Sequence, residues 1–386
     1  MTVVDLFCGC GGMSLGFQEA GFNILAGFEH WNTAISCYKK NFSHPVEDVD
    51  LSNVDLSVKT IAKYTPDIII GGPPCQDFSG AGNRIEGDRA DLTIAYANII
   101  QKVSPQYFVM ENVERAASSN AYKKARKIFK DAGYGLTEKV LDASFCGVPQ
   151  KRKRFFCIGY KNGPDSFLDG LLSTNQSVFP LTVREYFTQE NYNLSTEYYY
   201  RHPRSYKRRG IFSVDEPSPT IRGVNRPKPN NYKKHSGDLV SPDGVRNLTA
   251  LERSLIQTFP PNFVWDDSSA STEQMIGNAV PVKLAHYVAT CLMRFINGDT
   301  DLHNLRFIDW LKKEKTLSAE VAGDTLSRIG RARRILDFED NDCETYLKKL
   351  NEENLFKGIV PSVRAQIRRA VRLYFEYVSN HTEVES

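Results

Sequence analysis

The chain opens with Val3-Val4-Asp5-Leu6-Phe7 and continues into Cys8-Gly9-Cys10-Gly11-Gly12-Met13-Ser14-Leu15-Gly16-Phe17. The apolar run predicts a buried strand, and the glycine-rich stretch predicts a tight turn that opens a helix. The next apolar stretch ends at Glu29, about twenty residues beyond the glycines, where a carboxylate can accept hydrogen bonds from ribose hydroxyls. This pattern indicates nucleotide binding, and a nicotinamide dehydrogenase fits it as well. Glu29 and Asp48 could also be solvated loop acids.

The same alternation continues along the first 160 residues. Apolar strands are predicted at 67–70, 107–110 and 154–159, and helical stretches at 92–102 and 122–132 lie between them. Strands and helices that alternate at these lengths favour a parallel sheet with helices on both faces. The sequence therefore predicts an α/β, Rossmann-like fold with a mainly parallel sheet.

One cysteine stands at the end of a predicted strand. Cys75 follows Gly71-Gly72-Pro73-Pro74, which imposes a stiff turn. Ligands of open α/β sheets bind beyond the carboxyl ends of the strands, so a thiol there is placed to attack one. The alternative is a small buried hydrophobe, the usual state of a free cysteine. Glu111 follows the next strand at the same edge, and the two residues together indicate a catalytic site.

Bulk properties restrict the class of protein. A chain of 386 residues, with 41% hydrophobic and 25% charged residues, is long enough for two or three domains. Its 8 cysteines include no Cys-x-x-Cys pair, so we expect no metal site and a reducing, cytoplasmic environment. No run approaches the roughly 18 apolar residues of a membrane span. Because the net charge is only +3, attraction to nucleic acid requires a local cluster.

Such a cluster occupies the middle of the chain. Basic and aromatic residues are interleaved in 198–209, and 217–226 adds prolines and two further arginines. Lysine and arginine neutralise phosphates, and arginine can also read guanine edges. A solvated basic face is the alternative for any run of charges. Since catalytic motifs flank this segment, we predict that it binds nucleic acid.

Several motifs follow one another in a fixed order: Asp5-Leu6-Phe7 with Gly9 and Gly11-Gly12, Pro73-Pro74-Cys75-Gln76, Glu111-Asn112-Val113, Gln150-Lys151-Arg152-Lys153-Arg154, Arg246-Asn247-Leu248-Thr249 and Gly277-Asn278-Ala279-Val280-Pro281. In this order they resemble the motifs of the DNA cytosine-5 methyltransferases of the prokaryotic restriction-modification type. The resemblance covers residues 1–160 and 245–295.

The resemblance implies S-adenosylmethionine as the cofactor. Its expected binding residues are Phe7, Gly9, Gly11, Gly12, Glu29, His30, Asp48, Val49, Pro74, Leu92, Asn278 and Ala279. By this resemblance Glu29 would hold the ribose and Asp48 would meet the adenine. The sequence leaves open whether His30 or Trp31 packs on the adenine.

The resemblance also assigns the chemistry. Cys75 is the expected nucleophile, Glu111 binds the base, and Arg152 and Arg154 lie beside it. Carbon 5 of cytosine becomes reactive only after a thiolate adds at carbon 6, and the charge that then develops on the ring needs stabilisation. The base must leave the duplex stack to be reached. The segment 79–89 suits a loop that closes over the base, although an ordinary surface loop is the alternative.

Double-stranded DNA is the expected substrate. The predicted DNA-binding residues are Ser79, Arg84, Arg89, Arg201, Arg204, Arg208, Arg209, Thr220, Arg222 and Arg226. One position departs from the family. The family usually has an arginine three residues after the glutamate at Glu252, and here Leu255 stands there, which puts in doubt one support of the recognition domain.

The expected domain plan has four parts, which are a catalytic domain at 1–168, a target recognition domain at 169–262, the closing part of the catalytic domain at 263–298 and a C-terminal helical domain at 299–386. In the last, apolar residues recur at helical spacing over 307–336 and 363–378. With basic faces at 328–334 and 364–369, this tail resembles the helical domains that clasp DNA in tyrosine recombinases. A dimerising or structural bundle is the alternative.

The predicted function is therefore sequence-specific DNA cytosine-5 methylation by a cytoplasmic monomer on DNA, paired with a cognate restriction endonuclease. A tRNA cytosine-5 methyltransferase is the nearest alternative, because one branch of the family acts on RNA. A DNA-binding repressor with a relict methylation site would not need Cys75, Glu111 and Arg154. A dehydrogenase would leave Pro73-Pro74-Cys75-Gln76 unexplained.

Overall fold

The computed structural model describes residues 1–74, 91–203, 205, 207–265, 269–299, 302–338 and 342–381. Contacts between residues divide the chain into two compact units. The first comprises 1–165 and 180–290, and the second comprises 166–179 and 291–386. The predicted boundary at 168/169 differs from this division, because the segment 166–179 belongs with the C-terminal helices.

The strands are β1 (Thr2–Leu6), β2 (Asn23–Glu29), β3 (Val46–Asp48), β4 (Ile68–Gly71), β5 (Tyr107–Val113), β6 (Tyr134–Asp142), β7 (Gln150–Lys151), β8 (Lys153–Lys161), β9 (Tyr198–Tyr200), β10 (Ile211–Ser213), β11 (Ser218–Pro219) and β12 (Arg246–Asn247). The helices are α1 (Gly12–Glu19), α2 (Asn32–Asn41), α3 (Val54–Ile61), α4 (Asp91–Val103), α5 (Asn120–Asp131), α6 (Asp169–Thr174), α7 (Val183–Gln189), α8 (Ala250–Ile256), α9 (Ser269–Asn278), α10 (Val282–Ile296), α11 (Leu302–Lys313), α12 (Ala319–Ile335), α13 (Cys343–Glu352), α14 (Asn354–Lys357) and α15 (Pro361–His381).

A seven-stranded sheet organises the first unit. Its strand order is β3-β2-β1-β4-β5-β8-β6. The pairs from β3 to β5 are parallel, whereas β8 is antiparallel to both β5 and β6. The core strands read as continuous apolar runs, because a parallel strand is buried on both faces. The predicted α/β fold with a mainly parallel sheet is confirmed.

The antiparallel strand β8 was not predicted as such. The sequence indicated a strand at 154–159 but gave no direction for it, and β6 was not predicted. The reversal matters for function. Because β8 runs against β5, its first residues lie beside the last residues of β5. Arg154 is thereby brought to the edge of the sheet where the parallel strands end.

The closing part of the catalytic domain, expected over 263–298, contains two helices. The structure has α9 and α10 there, with Pro281 between them. A proline lacks the backbone N–H that a continuous helix requires, so the chain turns at this point. Within the described residues, the stretch Ala270–Ile296 has the length and apolar composition of a membrane span, and 50% of its most apolar window is buried inside the protein. A core helix of a globular protein passes the same test.

The middle of the chain forms short strands and loops. The three-stranded sheet has the order β10-β9-β12, and β11 pairs with β7. Leu255, the departure from the family pattern, is buried in an apolar cluster with Ile221 and Leu248. Arg253 is also buried, pairs with Glu273 and donates a hydrogen bond to the backbone of this region. An arginine two positions earlier therefore provides a support that the sequence appeared to lack.

The second unit is a helical bundle, as predicted for the C-terminal part. Its core contains Phe307, Leu326, Tyr346 and Val371 among other apolar residues. Arginines of the basic face predicted over 328–334 make contacts with other residues of this unit.

Two arginines of this face illustrate the point. The Arg333 guanidinium lies 4.8 Å from the centre of the Tyr374 ring and 5.0 Å from that of Phe338. Arg334 donates a hydrogen bond to the carbonyl oxygen of Thr174. Guanidinium groups held in this way stabilise the fold and are not available to phosphates.

Candidate active site

A cavity of about 1160 Å³ opens where β1, β2, β4 and β5 end. The predicted site residues that line it are Phe7, Gly9, Gly12, Glu29, Pro74, Glu111, Arg152, Arg154, Arg201, Arg208, Thr220, Arg222, Asn278 and Ala279. The fold thus gathers residues from distant parts of the sequence around one space. This is the crevice at which open α/β sheets bind ligands.

The other predicted residues fall into two groups. Among the described residues, those that do not line the cavity are Gly11, His30, Asp48, Val49, Leu92, Arg209 and Arg226. The predictions that lie outside the described residues are Cys75, Ser79, Arg84, Arg89 and Arg204. Val49 is buried in the core of the sheet, and Arg209 forms an ion pair with Glu216. Both of these have structural roles that the sequence did not reveal.

The turn after β1 has an unusual backbone. Phe7 has a φ of 56°, in the left-handed region that only glycine enters at little cost. Gly11 has a φ of 97°, and a Cβ atom there would lie 2.3 Å from the Phe42 ring. A side chain at Gly11 is therefore excluded by both conformation and space. The close approach of the Phe42 ring explains why a glycine stands at position 11.

Glu29 closes the turn from the next strand. One carboxylate oxygen accepts a hydrogen bond from Gly9 N at 2.9 Å, and the other accepts from His30 N at 2.8 Å and Trp31 N at 3.0 Å. Three backbone donors thus fix the carboxylate at the cavity wall. A carboxylate oxygen has a second lone pair, so Glu29 can still accept a hydrogen bond from a ligand hydroxyl.

The structure separates the two aromatic candidates that follow Glu29. The Nδ1 atom of His30 lies 2.9 Å from Oδ1 of Asp48, and both side chains are largely exposed. The hydrogen bond to Asp48 raises the pKa of His30. Trp31 lines the cavity instead. Of the two candidates, Trp31 is therefore the one that borders the cavity, and it was absent from the predicted site residues.

Asp5 is a second acid at the cavity that sequence reasoning did not select. Its Oδ2 atom accepts a hydrogen bond from Ser14 Oγ at 2.6 Å, and Ser14 Oγ lies 2.7 Å from the Tyr38 hydroxyl. The Oδ1 atom has no hydrogen-bond partner among the described residues. Burial raises the pKa of Asp5 to about 7. The carboxyl group is therefore poised between its neutral and charged forms near neutral pH.

Glu111 and Arg154 form an ion pair at the cavity wall. In the β5–β8 register Val113 faces Arg154, and Glu111 lies two residues before Val113 on the same face of the strand. The two side chains meet on this diagonal, with Nε of Arg154 2.8 Å from Oε1 of Glu111. The Arg154 side chain is 13% exposed and the Glu111 side chain is 10% exposed. The described residues form no hydrogen bond with Nη2 of Arg154, which leaves a donor for a ligand.

Burial controls the protonation of this pair. It raises the pKa of Glu111, although the charges of Arg154 and Arg152 oppose the shift. Burial also lowers the pKa of Arg154. A guanidinium remains charged at neutral pH, so Arg154 stays a cation. The site thus combines a carboxyl group that accepts a proton readily with a fixed positive charge.

Arg152, which was predicted together with Arg154 beside the base, has different contacts from Arg154. Its side chain is almost fully buried, and its guanidinium donates hydrogen bonds to the carbonyl oxygens of Ile221, Gly277 and Ala279, each at 3.0 Å. The acceptors lie in two segments of the chain, at 221 and 277–279, which meet at this side chain. Arg152 therefore supports the cavity wall.

The backbone that precedes Cys75 is held against β5. The side-chain amide of Asn112 donates a hydrogen bond to Pro73 O at 3.0 Å. A Cβ atom at Gly72 would lie 3.1 Å from Oε2 of Glu111, so glycine permits this close approach. Asn112 belongs to the Glu111-Asn112-Val113 motif but was not predicted as a site residue. Successive side chains of a strand point to opposite faces of the sheet, so the position of Asn112 next to Glu111 could have indicated a contact on the other face.

The model of the C-5 cytosine-specific DNA methylase family matches residues 1–294. The chain is 54% identical over 301 residues to the Type II methyltransferase M.HindV of Haemophilus influenzae, covering 76% of this chain and 97% of that protein. It is 52% identical over 298 residues to the Type II methyltransferase M.HgiDI of Herpetosiphon aurantiacus, covering 77% of this chain and 96% of that protein. The helices from α11 onward lie beyond the residues matched by the family model.

The fold is similar to that of solved methyltransferase structures. The S. pombe Dnmt2 methyltransferase matches with a TM-score of 0.58 and 19% identity, covering 77% of this chain and 99% of that protein. At this identity the likeness supports the fold alone. The sequence matches carry the assignment. The chain belongs to the C-5 cytosine-specific DNA methylase family and is a DNA cytosine-5 methyltransferase of the restriction-modification type.

Proposed function

We propose that this enzyme transfers a methyl group from S-adenosylmethionine to carbon 5 of a cytosine extruded from double-stranded DNA, through a transient covalent bond between Cys75 and carbon 6. The observation that carries the proposal is the buried pair of Glu111 and Arg154. This pair lies beside the Gly72-Pro73-Pro74 turn that leads to Cys75. A carboxyl group and a guanidinium at this place suit the ring nitrogen and the carbonyl oxygen of cytosine.

The residues at the cavity fit S-adenosylmethionine. The cofactor carries a sulfonium, an ammonium and a ribose, and the cavity presents the carboxyl groups of Asp5 and Glu29 with the rings of Phe7 and Trp31. The unpartnered Oδ1 atom of Asp5 leaves a buried acceptor available to a ligand. When bound, S-adenosylmethionine supplies the methyl group as an electrophile. No metal ion is needed for this reaction.

Glu111 and Arg154 act on the base. As the Cys75 thiolate adds to carbon 6, electron density moves to the ring nitrogen and the carbonyl oxygen. A protonated Glu111 donates its proton at the nitrogen, and Arg154 donates a hydrogen bond to the oxygen. After carbon 5 has taken the methyl group, water accepts the proton from carbon 5, the ring double bond re-forms and the thiolate is expelled. The ring nitrogen returns its proton to Glu111, so the enzyme is regenerated.

A trapping experiment tests the covalent step. DNA that carries 5-fluorocytosine at the target position cannot lose a proton from carbon 5, so the adduct should persist. We expect the wild type with S-adenosylmethionine to form a protein–DNA complex that survives denaturing gel electrophoresis. Cys75→Ala should form none, and Cys343→Ala, which removes a half-buried thiol of the second unit, should behave as the wild type.

The same assay separates the alternatives. A wild-type enzyme that traps no DNA and instead methylates tRNA would favour the RNA-modifying branch of the family. A protein that binds DNA but transfers no methyl group to either substrate would favour a repressor. Cys75→Ala that still forms the complex would contradict the proposed nucleophile.

The biological setting is part of the proposal. Two relatives at more than 50% identity are named Type II methyltransferases, which supports pairing with a cognate restriction endonuclease in the bacterial cytoplasm. We propose that the enzyme acts as a monomer on DNA. Plasmid DNA from cells that express it should resist the cognate endonuclease, whereas plasmid from cells that express Cys75→Ala should be cut. Sedimentation of the enzyme with a short duplex should give a complex with one protein chain.

A further inference from the structure

The segment 220–226, which we call the recognition strap, borders the cavity and has no regular secondary structure. Its first residues are fixed by hydrogen bonds. Thr220 Oγ1 donates to Lys151 O at 2.8 Å, and Thr220 O accepts from Arg201 at 2.7 Å. Ile221 N donates to Gln150 Oε1 at 2.9 Å. Ile221 O also accepts a hydrogen bond from Arg152. These bonds hold the backbone of residues 220 and 221 and the side chain of Thr220.

The far end of the strap is fixed as firmly. The side-chain amide nitrogen of Asn225 donates to Leu248 O at 2.9 Å and to Glu273 Oε1 at 3.1 Å. Asn247 donates to Asn225 Oδ1 at 3.0 Å and to Arg226 O at 2.8 Å. Loops that present side chains to a partner from a rigid backbone lose little entropy on binding. The strap therefore has the character of a preformed recognition element.

Alternate residues of the strap face different surroundings. Ile221 is buried, Gly223 lies against Gln274, and Asn225 is bonded to the neighbouring chain. Val224 is 66% exposed, more than any other large hydrophobic residue in the described part of the chain. Arg226 is also exposed.

Two arginines flank the exposed valine. Arg222 lines the cavity. The pKa of His202 is lowered by its partial burial and by the charges of Arg226 and Arg222, so both guanidinium groups lie near one imidazole. This part of the strap therefore presents an exposed apolar side chain close to two cations. It suits the major groove of DNA, where arginine reads guanine and an apolar side chain packs on the carbon 5 edge of a pyrimidine.

Other arginines of the basic cluster are differently employed. Arg209 pairs with Glu216 and lies 4.4 Å from the centre of the Phe212 ring, and Arg201 holds Thr220 O. These contacts use the guanidinium groups to build the domain. Arg201 and Arg209 are therefore scaffold residues of the basic cluster.

We propose that Arg222, Val224 and Arg226 form the base-reading row of this enzyme, with Val224 in apolar contact with the carbon 5 edge of a pyrimidine in the recognition sequence. Arg222 and Arg226 then contact guanines on either side. This inference rests on the proposed action on DNA and adds to it the residues that determine sequence specificity.

Methylation of a duplex library tests the row. The library carries random base pairs on both sides of a cytosine, and the methylated members are identified by bisulfite sequencing. Val224→Asn introduces a donor and an acceptor that bind a purine edge, so base preference should change by about 5- to 100-fold at one position. Arg226→Ala should relax a preference for guanine at a different position. Val264→Asn, which changes an exposed valine outside the cavity, should keep the wild-type profile.

Each outcome decides a different question. If Val224→Asn and Arg226→Ala lower methylation of all library members by one common factor, the residues contact only phosphates and the proposal is wrong. An unchanged profile for Val224→Asn would also overturn it. A wild-type enzyme that methylates no member of the library would instead contradict the proposed function. Thermal unfolding of each variant should match the wild type, because the substituted side chains are exposed.

Discussion

The carboxylate of Glu111 is separated by 2.8 Å from Nε of Arg154, although the two residues stand at opposite ends of their strands. The contact exists because β8 runs antiparallel to β5. In an all-parallel sheet the start of a strand would lie at the other edge. The reversal of one strand therefore assembles the pair that is proposed to hold the base.

The pH dependence of kcat tests the role of Glu111. Burial raises its pKa, and in the proposed mechanism the protonated form donates to the base. We therefore expect kcat to be retained below the pKa of the folded enzyme and to fall as pH rises through it. Glu111→Gln should lower kcat by about 100- to 1000-fold, since a donor to the developing charge loses its proton-transfer ability.

A pH profile of single-turnover methyl transfer provides the measurement. The alkaline decline should be absent in Glu111→Gln. Glu344→Gln, at an exposed position of the second unit, should keep the wild-type profile. An identical alkaline decline in Glu111→Gln would assign the titration to another group.

Gly72 tests the packing around Glu111. An added Cβ atom would lie 3.1 Å from Oε2 of the carboxylate, which must then shift by a few tenths of an ångström. We expect Gly72→Ala to lower kcat by about 10-fold, because small displacements of catalytic groups are costly. Gly358→Ala, where the new Cβ meets only ordinary contacts, should leave kcat unchanged. Wild-type kcat in Gly72→Ala would show that the carboxylate tolerates displacement.

Arg152 and Arg154 should respond differently to replacement. Arg152→Leu removes three hydrogen bonds to backbone carbonyl oxygens inside the protein, so the free energy of unfolding should fall by about 2–4 kcal/mol. Arg154→Leu should reduce kcat strongly and affect unfolding less, because this side chain contacts the cavity. Urea unfolding and methyl transfer measured on both variants check the contrast. Equal loss of stability in the two variants would contradict it.

Asp5 should make the stability of the free enzyme depend on pH. Its pKa is about 7 in the folded protein and 3.8 when unfolded, so folding favours the protonated form. Its contribution is fully present below pH 4 and is lost as pH rises through 7. Asp5→Asn has no carboxyl group to ionise, and its advantage in stability over the wild type should grow by roughly 4 kcal/mol between pH 4 and pH 8. Urea unfolding at the two pH values measures this difference.

The second unit offers a test of the DNA-clasp hypothesis. Arg333 packs on the rings of Tyr374 and Phe338 and donates a hydrogen bond to the Tyr374 hydroxyl at 2.5 Å. Arg333→Met should lower the free energy of unfolding by about 1–2 kcal/mol and leave DNA affinity within twofold of the wild type. Fluorescence anisotropy with a labelled duplex measures the affinity. A loss of affinity in Arg333→Met without a loss of stability would support a clasp.

Local patterns predicted the strands around the glycine-rich turn because these patterns depend on neighbours in the sequence. The apolar run before Phe7 and the glycines after it indicated β1 and α1, and Glu29 was placed at the end of β2 by its distance from the glycines. The motif order around Cys75 and Glu111 identified the family. These signals are short-range, so the sequence alone carries them.

Contacts between distant segments could be decided only by the tertiary structure. The direction of β8 depends on its pairing with β5, and it determines that Arg154, and not Arg152, meets Glu111. Arg152 belongs to the same motif, yet its hydrogen-bond partners lie 69 to 127 residues away in the chain. Sequence spacing specifies which side chains are present. Packing decides which polar groups find partners within the protein and which remain for a ligand.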